Sequence, residues 1–362
     1  MPGWLYALLV FAPLAVLGHA FGAPPITVFA AAALGLIPLA GLIGHATGQV
    51  AGHLGSHAGG LLNATFGNAA ELIITLLALN QGLFVLVKAS ITGSIIGNTL
   101  LVLGVSLLAG GWRNGLMTFD ARMTSLNSTL MLLAVAGLLL PSAFFTLTAD
   151  TVRVEEVSVP LAAILLLSYA AYLLFVVRGP GPVSRRGTPR PRAAAPAVVR
   201  GDSPEWSLRR GLVTLALATV GTAVVSEALV DSVEPVTAQL GLSELFVGMI
   251  VIPIVGNAAE NWAAVRAAWR NVLDLTLGIT AGSSTQIPLF VAPVLVFTSL
   301  AVARPMTLVF SPLELLVLAL SALIFAYISA DGESHWLEGV LLLALYFMTA
   351  VVFFWYPEPV TT

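Results

Sequence analysis

The chain has 362 residues, of which 58% are hydrophobic and only 9% charged, with a formal net charge of −3. A soluble domain carries about 25% charged residues, so a globular protein surrounded by water is excluded and lipid must be its solvent. The absence of cysteine rules out disulfides and thiolate metal sites.

No Asp, Glu, Lys or Arg precedes Glu71. The apolar opening from Trp4 to Phe21 lacks the positive start of a signal peptide. A second run, Ile26 to Ile43, follows almost at once, and both read as retained spans. A membrane helix needs about 20 apolar residues. Eleven such stretches follow one another: 3–22, 25–45, 59–80, 83–109, 123–141, 157–177, 208–230, 243–265, 273–300, 312–329 and 336–355. They are expected to be helices, because an open sheet edge has no partners in hydrocarbon. The third, fourth, eighth and ninth are rich in Gly, Ser, Thr and Asn, residues that permit close helix contact or mark a break lining a cavity.

Residues 178–207 are rich in Pro, Gly and Arg, show no apolar period, and read as a flexible linker. With Arg209 and Arg210, this region holds eight of the fifteen Lys and Arg residues. The positive-inside rule puts it in the cytoplasm. Arg113, Arg122, Arg266 and Arg270 then also fall inside, and only Lys88, Arg153 and Arg304 fall outside. The N-terminus is expected inside and the C-terminus outside.

The pentapeptide Gly-Asn-Ala-Ala-Glu occurs at Gly67–Glu71 and again at Gly256–Glu260, an offset of 189 residues. The pairs Gly93-Ser94 and Gly282-Ser283 repeat at the same offset. Each unit, 23–177 and 208–362, has five spans. An odd number places the two units in opposite orientations after a leading helix, 1–22. The expected fold class is therefore an all-α polytopic membrane protein, one leading helix plus two inverted five-helix repeats, a common transporter plan.

Glu71 and Glu260 carry the chemistry. A carboxylate in mid-membrane costs several kcal/mol (roughly 3 or more) and is functional by default. The Gly-Asn step before each Glu weakens the helix, and inverted symmetry brings the two acids face to face. With amide oxygens from Asn68 and Asn257 they make an all-oxygen site, the kind that a hard divalent cation such as Ca2+ prefers. Ser94, Asn98, Ser283, Ser284 and Gln286 lie on neighbouring spans and suit a secondary lining, although small polar residues also simply join membrane helices. One divalent cation neutralises both carboxylates, and so do two protons. Cation–proton exchange follows, because the doubly charged empty state is costly to reorient. Glu227 and Glu314, near span ends, read first as interfacial acids and second as accessory ones. His53 and His57 read as solvated loop residues.

The stretches LLNATFGNAAELI, KASITGSIIGNTLLVLG, IVIPIVGNAAEN, DLTLGITAGSSTQIPLFVAPVLV and DGESHWLEGVLLLALY resemble the calcium/cation–proton antiporters, from about Ile26 to Phe354. The resemblance implies eleven spans and cation export driven by an inward proton gradient. Glu71 and Glu260 match the family's ion-binding acids, and Glu227 gains weight as an acid common there. Three departures stand out. The linker is basic where the family often has an acidic segment, Asn261 follows the second motif where His is common, and Pro288 replaces a small apolar residue. No cofactor and no nucleic-acid partner are expected, and the transported species are Ca2+ and protons. The short chain suggests a prokaryotic plasma membrane.

Alternatives are a sodium-coupled calcium exchanger of the same plan, an intramembrane enzyme, or a channel. The sodium/calcium exchangers commonly carry Pro before the motif Glu, where both copies here have Ala. No HExxH motif and no phosphate-binding Gly-Lys-Ser/Thr loop is present.

Overall fold

The computed structural model describes residues 3–148, 151–178 and 205–356. Of the expected linker at 178–207, residues 179–204 lie outside the described residues, as does the side chain of His57.

Hydrophobic runs with good helix formers produce an almost wholly helical chain. In order, the helices are α1 (Leu5–Ala20), α2 (Pro25–Phe66), α3 (Ala69–Gln81), α4 (Phe84–Asn114), α5 (Ala121–Thr148), α6 (Thr151–Arg178), α7 (Leu208–Asp231) and α8 (Val233–Leu240). They continue as α9 (Glu244–Gly256), α10 (Ala258–Trp269), α11 (Leu273–Ala301), α12 (Pro312–Ile328) and α13 (Trp336–Trp355). Among the described residues, seven helices are long and apolar enough to cross a membrane. The bent pair α9–α10 counts as one more, and α1, α3 and α12 are shorter apolar helices.

Local chemistry sets the ends. Gly82, at φ 87°, closes α3 in a left-handed conformation that costs glycine little. Ser243 caps α9 by accepting from Phe246 N at 3.1 Å. Ser311 and Glu314 form a capping box at α12, with Pro312 in its first turn.

Spans expected at 25–45 and 59–80 with a loop between them are instead joined by continuous helical hydrogen bonding from Pro25 to Phe66. The path still turns back. A Cβ on Gly59 would sit 2.6 Å from the Ala51 carbonyl oxygen, whereas a straight helix separates residues eight apart by about 12 Å. The Gly-rich composition of this segment leaves room for that close approach.

The long helices α4 and α11 are the most buried. Close approach depends on missing side chains. A Cβ on Gly339 of α13 would lie 2.3 Å from Leu108 N in α4, the small-residue contact typical of helices in lipid.

Turns gather at two ends of the bundle. At one end His19 contacts Asp231 at 3.1 Å, Gln81 donates to Asp231, and Arg304 donates to the Asn80 carbonyl at 2.6 Å. At the other, β1 (Met117–Thr118) pairs antiparallel with β2 (Glu333–Ser334), and Asp120 N donates to Asp274 at 2.8 Å. Trp206 lies at this second end as well, clasped to α2. Its N–H donates to Gln49 at 3.0 Å, its carbonyl contacts His53 at 2.7 Å, and its ring meets His45 edge-on. His53, expected in a loop, lies instead within α2; it is exposed and holds this clasp.

Candidate functional site

Both Gly-Asn steps break the helix. Asn68 leaves helical geometry at φ −106° and ψ 29° before α3 begins, and Asn257 does so at φ −99° and ψ 3°. At the second break the chain turns by 64°. Each break sets a motif Glu in the first turn of the following helix, Glu71 in α3 and Glu260 in α10.

The two motifs meet. Glu71 is 5% exposed and packs on the second motif, where a Cβ on Gly256 would lie 3.3 Å from its Oε1. Among the described residues no three His, Cys, Asp or Glu side chains converge on a common point. The side chains next to the two breaks offer carboxylate, amide and hydroxyl oxygens, which are hard donors.

The amides behave differently in the two halves. Asn68 Nδ2 donates to Gln286 Oε1 at 2.7 Å, and Ser283 Oγ donates to Asn68 Oδ1 at 2.7 Å. The first motif is therefore tied to α11. Asn257 makes no such bond. Both its amide atoms, Asn98 Nδ2, Asn261 Oδ1 and Glu71 Oε1 are buried without a hydrogen-bond partner. Asn98, Asn257 and Asn261 line one small cavity with Gly97 and Pro253. Native proteins pair nearly all such groups, so unpaired oxygens around a cavity are what a binding site leaves behind.

Of the expected secondary lining, Ser94 is buried on α4. Ser284 turns its hydroxyl back to Thr280 O at 2.7 Å and is satisfied within its own helix. Glu227 is exposed on α7, one turn before the helix ends. The interfacial reading of Glu314 requires correction. It lies at a span end but is 3% exposed, and it accepts from Ser311 N at 2.9 Å and Thr92 Oγ1 at 3.0 Å. The pattern Ser311-Pro-Leu-Glu314 is a readable capping box and could have flagged it. Asn261 was singled out only as a departure from a family pattern; its position beside Glu260 was the available signal for the cavity.

Ser283→Ala would leave a buried Asn68 oxygen unpaired, a cost of about 1–3 kcal/mol. The expected result is a lower melting temperature in detergent and weaker Ca2+ binding by about tenfold, read by isothermal titration.

A family model described as sodium/calcium exchanger protein matches residues 25–178 and 210–355. A protein of Aphanothece halophytica named Ca(2+)/H(+) antiporter is 42% identical over 361 residues, covering 97% of this chain and 96% of that one. The Ca(2+)/H(+) antiporter ChaA of Bacillus subtilis (strain 168) is 39% identical over 352 residues, with 97% and 99% covered. The crystal structure of the selenium-substituted Ca2+/H+ antiporter YfkE superposes with a TM-score of 0.84 at 36% identity, covering 98% of this chain and all of that one.

Proposed function

The chain belongs to the sodium/calcium exchanger protein family, and from that premise we propose that it is an integral membrane Ca2+/H+ antiporter that exports Ca2+ from the cytoplasm by alternating access. One observation carries the reading. Two helix breaks each set a carboxylate, Glu71 and Glu260, in the turn that follows, and Glu71 packs on Gly256 of the second motif beside Asn257 and Asn261, whose amide oxygens have no hydrogen-bond partner. Ca2+ displaces the protons from this pair, or two protons displace Ca2+, and each loaded form is neutral. Asn68 and Asn257 complete the ligand set, and Ser94, Asn98, Ser283 and Gln286 border it.

Eleven crossings, a leading helix plus inverted units at 23–177 and 208–362, form the frame of this proposal. Several features support it. The family model matches in two stretches, 25–178 and 210–355. Wide π-type turns occur at Gly97–Val102 and Ile287–Val291, which end 189 residues apart, the offset of the motifs, and a third lies at Val247–Val251. Each of the turn contacts at the two ends of the bundle joins turns that the charge pattern assigns to one face. The end bearing β1, β2 and Trp206 is the cytoplasmic one, and the N-terminus lies there too.

The test is reconstitution in liposomes with an imposed pH gradient and radioactive Ca2+. Uptake is expected to follow the gradient and ignore sodium. With two protons per Ca2+, one pH unit sustains about a 100-fold Ca2+ gradient, since each proton contributes about 1.4 kcal/mol. Sodium-driven uptake that is indifferent to pH would assign the chain to the sodium-coupled exchangers instead.

A further inference from the structure

Outside the exchange site, α4 carries a second polar arrangement. Thr92 Oγ1 lies 3.0 Å from Glu314 Oε1 in the first turn of α12. Its one proton is shared with the Ala89 and Lys88 carbonyls of its own helix, at 3.1 and 3.2 Å. The carboxylate is the stronger acceptor. One turn away on the same face of α4, Lys88 Nζ reaches Thr307 Oγ1 at 3.4 Å and is within electrostatic reach of Glu314. Glu314 closes the set by capping α12 through Ser311.

This face of α4 is not the face that serves the exchange site. Thr92 and Ser94 are two residues apart and point to roughly opposite sides of the helix. A third face, bearing Leu86, Ala89 and Gly93, is pressed against α9. Gly93 would place a Cβ 2.2 Å from the Met249 carbonyl oxygen, and Gly248 would place one 2.7 Å from Ala89. So α4 is wedged between α9 on one side and the first turn of α12 on the other. The polar arrangement is also one-sided. At the 189-residue offset, Lys88, Thr92 and Glu314 correspond to Leu277, Ala281 and Ser125. A requirement common to both repeats would not be met by charged side chains in one and uncharged ones in the other.

We propose that Lys88, Thr92 and Glu314 form a positioning clasp that holds α4 against α9 and so keeps the exchange site shut on the non-cytoplasmic face. Its lack of a counterpart in the second repeat biases the unloaded protein toward the cytoplasm-open form. What the shut face accomplishes rests on the antiport reading, but the clasp itself can be read without transport.

The chain contains no cysteine, so Met249→Cys supplies a single thiol in the α4–α9 contact. Its modification by a membrane-impermeant thiol reagent applied from the non-cytoplasmic face reports opening there. Adding Thr92→Val is expected to raise the modification rate about tenfold, the scale of a hydrogen bond to a charged group. Thr92→Ser, which keeps the hydroxyl, is expected to leave the rate at that of the parent. An unchanged rate in Thr92→Val, an equal rise in Thr92→Ser, or a matching rise from the cytoplasmic face would overturn the clasp. If Thr92→Val does not assemble, Glu314→Gln takes its place with the same expectation. Ca2+ uptake by the same vesicles under a pH gradient is scored separately, so a failed antiport reading shows in flux and a failed clasp shows in labelling.

Discussion

Glu71→Gln is expected to reduce Ca2+ uptake under a pH gradient to the level of empty liposomes, and Glu260→Gln is expected to do the same. Gln fills the same volume and can still hydrogen bond, so the fold should persist. What disappears is the charge. A single carboxylate facing a divalent cation in a low-dielectric site leaves one positive charge uncompensated. Breaking a buried ion pair costs about 3–5 kcal/mol, or more than about 100-fold in affinity. Proton coupling disappears with it, because Gln cannot be protonated at any relevant pH. Glu71 is the more enclosed of the two acids and lies directly on Gly256, so relief by water is least available there. The measurement is radioactive Ca2+ flux with protein yield and melting temperature as controls. A Glu71→Gln variant that still couples uptake to the pH gradient would remove this pair from the mechanism.

The second large effect separates two glycines at equivalent positions of the repeats. Gly93→Ala would put a methyl carbon 2.2 Å from the Met249 carbonyl oxygen and 2.5 Å from its Cα. Those are backbone atoms and cannot swing aside, so α4 and α9 must separate. The gain in helix propensity from Gly to Ala is about 1 kcal/mol, while overpacking costs about 1–3 kcal/mol or more. The clash wins, and a fall in melting temperature is expected. Gly282→Ala meets nothing within 4 Å, so the same substitution should be neutral or slightly stabilising. Thermal unfolding of the two purified variants decides it. Equal destabilisation of both would show that the asymmetry in packing between the repeats has no energetic content.

Much of this was legible from sequence, and the reasons differ by element. Chain class followed from charge content. The two helix breaks were readable because Gly and Asn at one step both weaken helical hydrogen bonding, and the structure departs from helix at Asn68 and Asn257. The junction between the second and third spans was less readable. Gly-rich composition announces weakness, but does not say whether the chain leaves the helix or stays in it. Direction of side chains was the least accessible. Nothing in the spacing told Ser283, which reaches Asn68, from Ser284, which bonds its own helix. Burial of Glu314 escaped a reading based on distance from span ends, because its environment comes from Thr92 and Lys88, more than 200 positions away.

The paired wide turns carry a consequence for the length of the chain. At Gly97–Val102 and Ile287–Val291 the backbone bonds five residues back rather than four, so each span holds a surplus residue relative to a regular helix. Deleting any one residue from such a segment would restore an ordinary helix and leave the hydropathy of the span almost untouched. The wide turn already absorbs that residue, so the segments on either side would keep nearly the same helical phase. Ser94 and Ser283, just ahead of these turns, would stay in step with the residues behind them, and only the local widening would be lost. These two turns are therefore the places where the long spans can give up a residue without turning one half of the helix against the other.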